Sequence, residues 1–169
     1  MSRTFGIADL HLGHQNMALK RGFMTVEEHD EFIIANWNKV VHKKDNVIIF
    51  GDVTMEKKHS YYLLNRLNGR KTVIGGNHDR PQDSAELLKY VSGICGMMKR
   101  KGFILTHCPI HESQLEDFYM NMHGHVHDKT LQDERYINLS CEVIGYTPVL
   151  LSNYVNKNGE TKPRRDEQI

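Results

Sequence analysis

Apolar residues along this chain come in short closed runs, each followed by a polar break. Residues 4–8 (TFGIA), 46–50 (NVIIF) and 71–74 (KTVI) are too short for helices and end at aspartate or glycine, which predicts three buried strands. Between them the apolar period changes. From Thr25 a capping-box pattern with Glu28 opens a helix to about Val41, with Ile33, Trp37, Val40 and Val41 on one face. Residues 57–68 return to a helical pattern through Tyr61, Leu64 and Leu67, with Gly69 as its stop. The order β-α-β-α-β predicts parallel strands joined by right-handed crossovers. Parallel strands present their carboxyl ends along one edge, where ligands bind, so Asp9, His11, Asp52, Asn77 and His78 are expected to converge.

The second half reads differently. Segments 102–107 (GFILTH), 119–127 and 136–143 (YINLSCEV) look like strands with few helices between, which predicts a second, more antiparallel sheet. Ser84 to Tyr90 suggests a short helix. The organisation expected is one domain over residues 1–156 and a frayed tail over 157–169.

Composition narrows the function classes. The chain has 169 residues, 39% hydrophobic and 25% charged, enough for one sizeable core. A net charge of +1 without long basic runs does not indicate a polyanion partner, so nucleic acid is allowed but not implied. Three cysteines, Cys95, Cys108 and Cys141, form no CxxC pair, which argues against a disulfide framework and fits a reducing, cytoplasmic setting. No apolar segment reaches membrane-spanning length, so no membrane partner is expected.

Histidine is over-used, with eleven in all and five between His107 and His127. These fall into short stretches with aspartate, asparagine and glycine: Asp9-Leu10-His11, Gly51-Asp52, Gly76-Asn77-His78-Asp79, His107, and Gly124-His125-Val126-His127. If the first and last lie on strands, i and i+2 share a face, and each would aim two ligands one way. Carboxylate, imidazole and amide donors suit manganese, iron or zinc. Seven candidate ligands exceed one tetrahedral shell, whereas two ions roughly 3.5–4 Å apart would use them all. A lone His107 or a lone GHVH would read as a loop or core feature; the weight lies in the combination.

The five stretches, in this order, resemble the pattern of the calcineurin-like metallophosphoesterase superfamily, which runs D-x-H, GD, GNH[D/E], H, GHxH. The resemblance spans Asp9 to His127. It implies a mixed α/β fold, a four-layer αββα sandwich of two facing mixed sheets. It further implies that Asp9, His11 and His127 hold one metal, that Asn77, His107 and His125 hold a second, and that Asp52 bridges them. His78 would be the catalytic histidine, oriented by Asp79. The implied cofactors are two divalent ions, Mn²⁺ foremost, with iron, zinc or nickel as alternatives.

Chemistry agrees with that implication. Two divalent cations against two carboxylates attract a phosphate and lower the pKa of a shared water, supplying a hydroxide nucleophile, while His78 protonates the leaving oxygen. The expected activity is hydrolysis of a small phosphodiester, cyclic or nucleotide-like. A phosphomonoesterase, or a non-catalytic metal-binding scaffold of the retromer-subunit type, is the alternative. Val53-Thr54-Met55 after Gly51-Asp52 departs from the Asp-Arg-Gly of the protein-phosphatase branch. His14, Arg80 and His123 are candidate substrate contacts, each balanced by a plain loop reading. His29, His42 and His59 are expected at the surface. Cys108 would suit a Cys-x5-Arg loop only with arginine at 114, where Gln114 stands.

Overall fold

The structure, a computed structural model, describes residues 2–55, 58–115 and 120–154. Thr4–Ile7 (β1), Asn46–Ile49 (β2), Arg70–Ile74 (β3) and Gly93–Cys95 (β4) form a parallel sheet in the order β4-β3-β2-β1. Met98–Arg100 (β5), Phe103–Leu105 (β6), Met120–His123 (β7) and Tyr136–Asn138 (β8) form a second sheet in chain order. Val149–Leu150 (β9) returns to the first sheet, antiparallel beside β1. The result is two mixed sheets with flanking helices.

Alternation along the strands assigns each face. Phe5, Ile7, Val47, Ile49 and Val73 join a core with Ile33, Ile34, Trp37 and Leu64 from the helical side. Ala8, Ile48, Phe50 and Ile74 point the other way and pack on Phe103, Leu105, Met122 and Leu139 of the second sheet. The period of two explains why both faces of one strand are apolar: each is covered. Close approach of the sheets requires Gly6, where a Cβ would sit 2.7 Å from Leu151 Cδ2 and 3.0 Å from Leu139 Cδ1.

Val26–Val40 (α2) follows the short helix Gln15–Lys20 (α1) and begins where its cap predicts. Thr25 Oγ1 accepts from the Glu28 amide at 3.1 Å, satisfying one open helix donor. Its apolar face buries Trp37, whose Nε1 donates to Asn68 O at 2.9 Å.

Past Ile7 the chain crosses from one sheet to the other. The Ala8 amide donates to Leu139 O at 2.8 Å, and Cys141 N donates to Ala8 O at 3.1 Å. This seam brings the loops of both sheets together at one edge.

Three expectations change. The second sheet is mostly parallel: β6–β7 and β7–β8 are parallel pairs and only β5–β6 is antiparallel. The connections over 106–119 and 124–135 reach the dozen or so residues that a parallel crossover needs, and their described residues are largely loop. The helical stretch expected over 57–68 is a 3₁₀ helix over Lys58–Arg66. Helix α1 and the strands β4, β5 and β9 had no periodic signal, being too short to show one. Tyr119 and the tail 157–169 lie outside the described residues. Among those described, no helix is long and apolar enough to cross a membrane.

Candidate metal centre

Every motif residue sits in a loop just beyond a strand. Asp9 and His11 follow β1, Asp52 follows β2, and Asn77 and His78 follow β3, while His107 follows β6 and His125 and His127 follow β7. Five of these depart from ordinary backbone geometry. Asp9, His11, Asp52, His125 and His127 have φ of 58°, 49°, 52°, 71° and 52°. Left-handed backbone costs an L-residue roughly 1–2 kcal/mol. The expected strand geometry, with i and i+2 on one face, is therefore corrected: the turn itself aims the ligands, and His125 and His127 serve different groups. Glycines clear the space. A Cβ at Gly124 would collide with Ala8 and Asp9, and one at Gly76 with the Asp52 carboxylate.

The donors fall into overlapping groups. Asp9, His11 and His127 offer ligand atoms within 4.8 Å of one another, as do Asp9, Asp52 and His107. Asp52 lies between the two sides. Its Oδ2 is 3.8 Å from His11 Nε2 and its Oδ1 is 3.6 Å from His107 Nε2. At metal–ligand distances of about 2.0–2.2 Å, two ligands of one ion stand roughly 3–3.6 Å apart, so both spacings fit a cation with little closure.

On the outer side, Asn77 Oδ1 is 2.9 Å from both His107 Nε2 and His125 Nδ1. His107 donates its Nδ1 hydrogen to Phe50 O at 2.7 Å. That bond leaves Nε2 as the nitrogen that faces the amide oxygen, where the two could share a cation.

On the inner side, His11 is fully buried, and neither ring nitrogen has a hydrogen-bond partner among the described residues. Burial, aided by the Arg21 charge and neighbouring histidines, pushes its pKa down to about 2. A buried neutral imidazole with open nitrogens is costly unless it has a ligand to bind. Burial raises the Asp9 pKa, opposed by a Ser140 hydrogen bond and by His107 and His127. This donor set of carboxylate, imidazole and amide oxygen suits divalent ions, so the residues fit the group implied for them.

A buried network behind the inner group escapes sequence reading. Arg21, whose side chain is 2% exposed, donates to Asp9 O at 2.7 Å and to Leu10 O at 3.1 Å. It also pairs with Glu142 Oε1 at 2.8 Å. The same oxygen lies 2.9 Å from His127 Nδ1 and fixes that ring with Nε2 toward the centre. Burial pushes the Glu142 carboxyl up, but the His127 hydrogen bond and the Arg21 charge prevail and hold it at about 2. The same bond raises the His127 pKa.

His29, expected at the surface, is fully buried here. Its Nε2 faces Arg21 Nη1 at 2.9 Å and its Nδ1 faces Asp30 Oδ1 at 2.9 Å. Asp30 in turn accepts from the Gly13 amide at 2.9 Å. His42 and His59 are exposed, as expected.

The remaining predicted residues separate. The His78 ring stands 5.9 Å from that of His11, edge-on, with its amide donating to Asp52 Oδ1 at 3.0 Å. Asp79 was expected to orient His78, yet its carboxylate is spent on the main chain. It accepts from the amides of Asp52, Val53 and Gly76 at 2.8, 3.1 and 2.9 Å, locking the second loop to the third. Arg80 chelates Asp83 Oδ2 through Nε and Nη2 at 2.8 and 2.7 Å. His14 caps α1, accepting from Met17 N at 3.1 Å, with its ring 6.4 Å from that of His11. His123 does not face a cleft. It is buried on β7 with Nδ1 on Gly124 O at 2.9 Å, and burial lowers its pKa.

Comparison with known proteins places this geometry among relatives. No family model matches the chain. The uncharacterized protein MJ1445 of Methanocaldococcus jannaschii is 34% identical over 163 residues, covering 89% of this chain and 88% of that one. The Gene 66 protein of Mycobacterium phage L5 is 40% identical over 86 residues, 48% of this chain and 42% of its own length. Among solved structures, the Aquifex aeolicus protein AQ665, of unknown function, superposes with a TM-score of 0.67 at 24% identity, covering 88% of this chain and 95% of that one. An archaeal phosphodiesterase gives 0.52 at 18% identity over 83% and 85%. The Pseudomonas putida nuclease MPE gives 0.51 at 24% identity over 74% of this chain and 62% of its own. These three share the fold.

Proposed function

We propose that the chain, which carries the motif series that resembles the calcineurin-like metallophosphoesterase superfamily and shares its fold with an archaeal phosphodiesterase, is a metal-dependent phosphoesterase that hydrolyses a small phosphodiester. The observation that carries the reading is Asp52, whose two oxygens face His11 on one side and His107 on the other. On this reading Asp9, His11 and His127 would hold one divalent ion, Asn77, His107 and His125 would hold another, and Asp52 would be available to both. Ions so held would polarise the phosphoryl oxygens and make water a nucleophile near neutral pH.

The chain's own residues do the rest. Phe50 O and Glu142 set the tautomers of His107 and His127, leaving the other nitrogen of each as the donor. His78, half-buried beside His11, would pass a proton to the leaving oxygen, an effect typically worth about 10²–10⁴-fold. Asp79 contributes by holding the loops that carry Asp52 and His78. The preference for a diester draws support from two neighbours of the same fold, one named a nuclease and one a phosphodiesterase.

The test is hydrolysis of bis-p-nitrophenyl phosphate and p-nitrophenyl phosphate by metal-stripped protein, before and after Mn²⁺ is added. Metal-restored turnover that favours the diester is expected. Turnover of the monoester alone would replace the diester reading, and bound metal without turnover would leave a scaffold. His78→Ala should retain metal and lose most turnover; unchanged turnover would remove His78 from the reaction.

A further inference from the structure

The outer histidine pair has a neighbour that the ligand sets above do not use. Cys108 Sγ lies with a ring nitrogen of His107 and of His125 in one group, all within 4.8 Å of one another. Its position is held from both sides. His107, the residue before it, is tied through Nδ1 to Phe50 O, and Cys108 O accepts from Thr106 Oγ1 at 2.6 Å. The backbone is thus pinned while the exposed side chain is free to rotate. It therefore stands at the rim of the same centre.

We propose that Cys108 is an additional ligand to the outer ion, binding it through sulfur beside Asn77, His107 and His125. This rests on the phosphoesterase reading of the centre. As the sulfur–metal bond forms, the S–H bond breaks and its proton leaves to solvent, so no oxidant or reductant is needed. Zinc–sulfur and zinc–nitrogen bonds of about 2.3 and 2.0–2.1 Å put such donors roughly 3.5 Å apart, which rotation of one exposed side chain can reach. The consequence is selectivity. Thiolate favours zinc or cobalt over manganese, so the outer ion would be softer in preference than oxygen and nitrogen donors alone dictate.

The other thiols cannot stand in. Cys141 is fully enclosed, and burial pushes its pKa up to about 12. Cys95 lies on β4, its Sγ 3.8 Å from Val73 O, at the far edge of the first sheet.

Cobalt(II) added to metal-stripped protein reports the bond directly. A sulfur-to-cobalt charge-transfer band in the near ultraviolet is expected in the wild type and in Cys95→Ser, and its loss in Cys108→Ala. Visible ligand-field bands, which report bound cobalt of any ligation, should persist in all three. Bound cobalt without the sulfur band, or a band that survives in Cys108→Ala, overturns the proposal and leaves the phosphoesterase reading intact. Failure to bind cobalt at all overturns both. As a second readout, zinc affinity at the outer ion should fall roughly 10- to 100-fold in Cys108→Ala, with manganese affinity moving far less; equal changes for the two metals would also count against sulfur ligation.

Discussion

Asp9 and His11 are wholly enclosed, whereas Asn77 and His125 stand exposed on the opposite side of the same Asp52 carboxylate. The backing differs as much as the exposure. Behind the inner set lie Arg21, Glu142, His29 and Asp30, joined by hydrogen bonds that reach the backbone of Asp9, Leu10 and Gly13. The outer set is steadied by Phe50 O on His107 and by its own asparagine. An enclosed, preorganised set holds a cation tightly and gives it up slowly, while an exposed set exchanges. On the proposed reading, the inner set would keep its ion and the outer set would exchange it.

The largest test of this asymmetry removes the buried cation of the support. Arg21→Met strands Glu142 and His29 and should lower the unfolding free energy of metal-free protein by about 3–5 kcal/mol. His125→Ala, on the exposed side, should stay within about 0.5 kcal/mol. Equal losses in urea titrations would erase the distinction.

Next in size is Glu142→Gln, which keeps the shape but removes the charge that orients His127. Calorimetric titration should show the tighter class of sites weakened roughly 10- to 100-fold and the weaker class unmoved. The asymmetry should also appear in time: a strong chelator should strip the ions in two phases, the outer one first. A single phase for both would show the sides to be equivalent.

The smallest effect is one of pH. His11 stays neutral in the fold, its pKa pushed to about 2, while the unfolded chain protonates it near 6.5. The unfolded state therefore binds more protons below 6.5, and stability falls as pH falls. At pH 5.5 the cost is about 1.4 kcal/mol. His127, raised by Glu142, acts in the opposite sense, stabilising below its unfolded value, so the informative quantity is a difference. Metal-free wild type should lose about that 1.4 kcal/mol relative to His11→Asn between pH 8 and 5.5. Parallel pH profiles would mean that His11 is not the buried neutral group.

What could be read from the residues follows from where information is local. The three leading strands and α2 announce themselves through apolar period and a cap, and each motif block follows a strand end, so convergence at one edge needed only the parallel topology. The direction of the second sheet was not local, because the described parts of its crossovers are loop with one short 3₁₀ turn rather than periodic helices. Nor were Arg21 and Glu142, two isolated charges 121 residues apart that meet only in the fold. His29 and Asp30 did leave a signal. They stand four residues before Ile33 and Ile34 on α2, on the face that is buried. Asp79 misled for another reason, since adjacency to His78 suggested a partner while its oxygens were claimed by main-chain donors from a distant loop.

The Asp9 carboxylate accepts from the His125 amide across a sequence separation of 116 residues. At translation rates of about 5–20 residues per second, the first ligand waits roughly 6–24 seconds for the last to be made. A nascent chain therefore cannot assemble the full donor set early, and a metal held by all of it would report a chain made at least as far as His127.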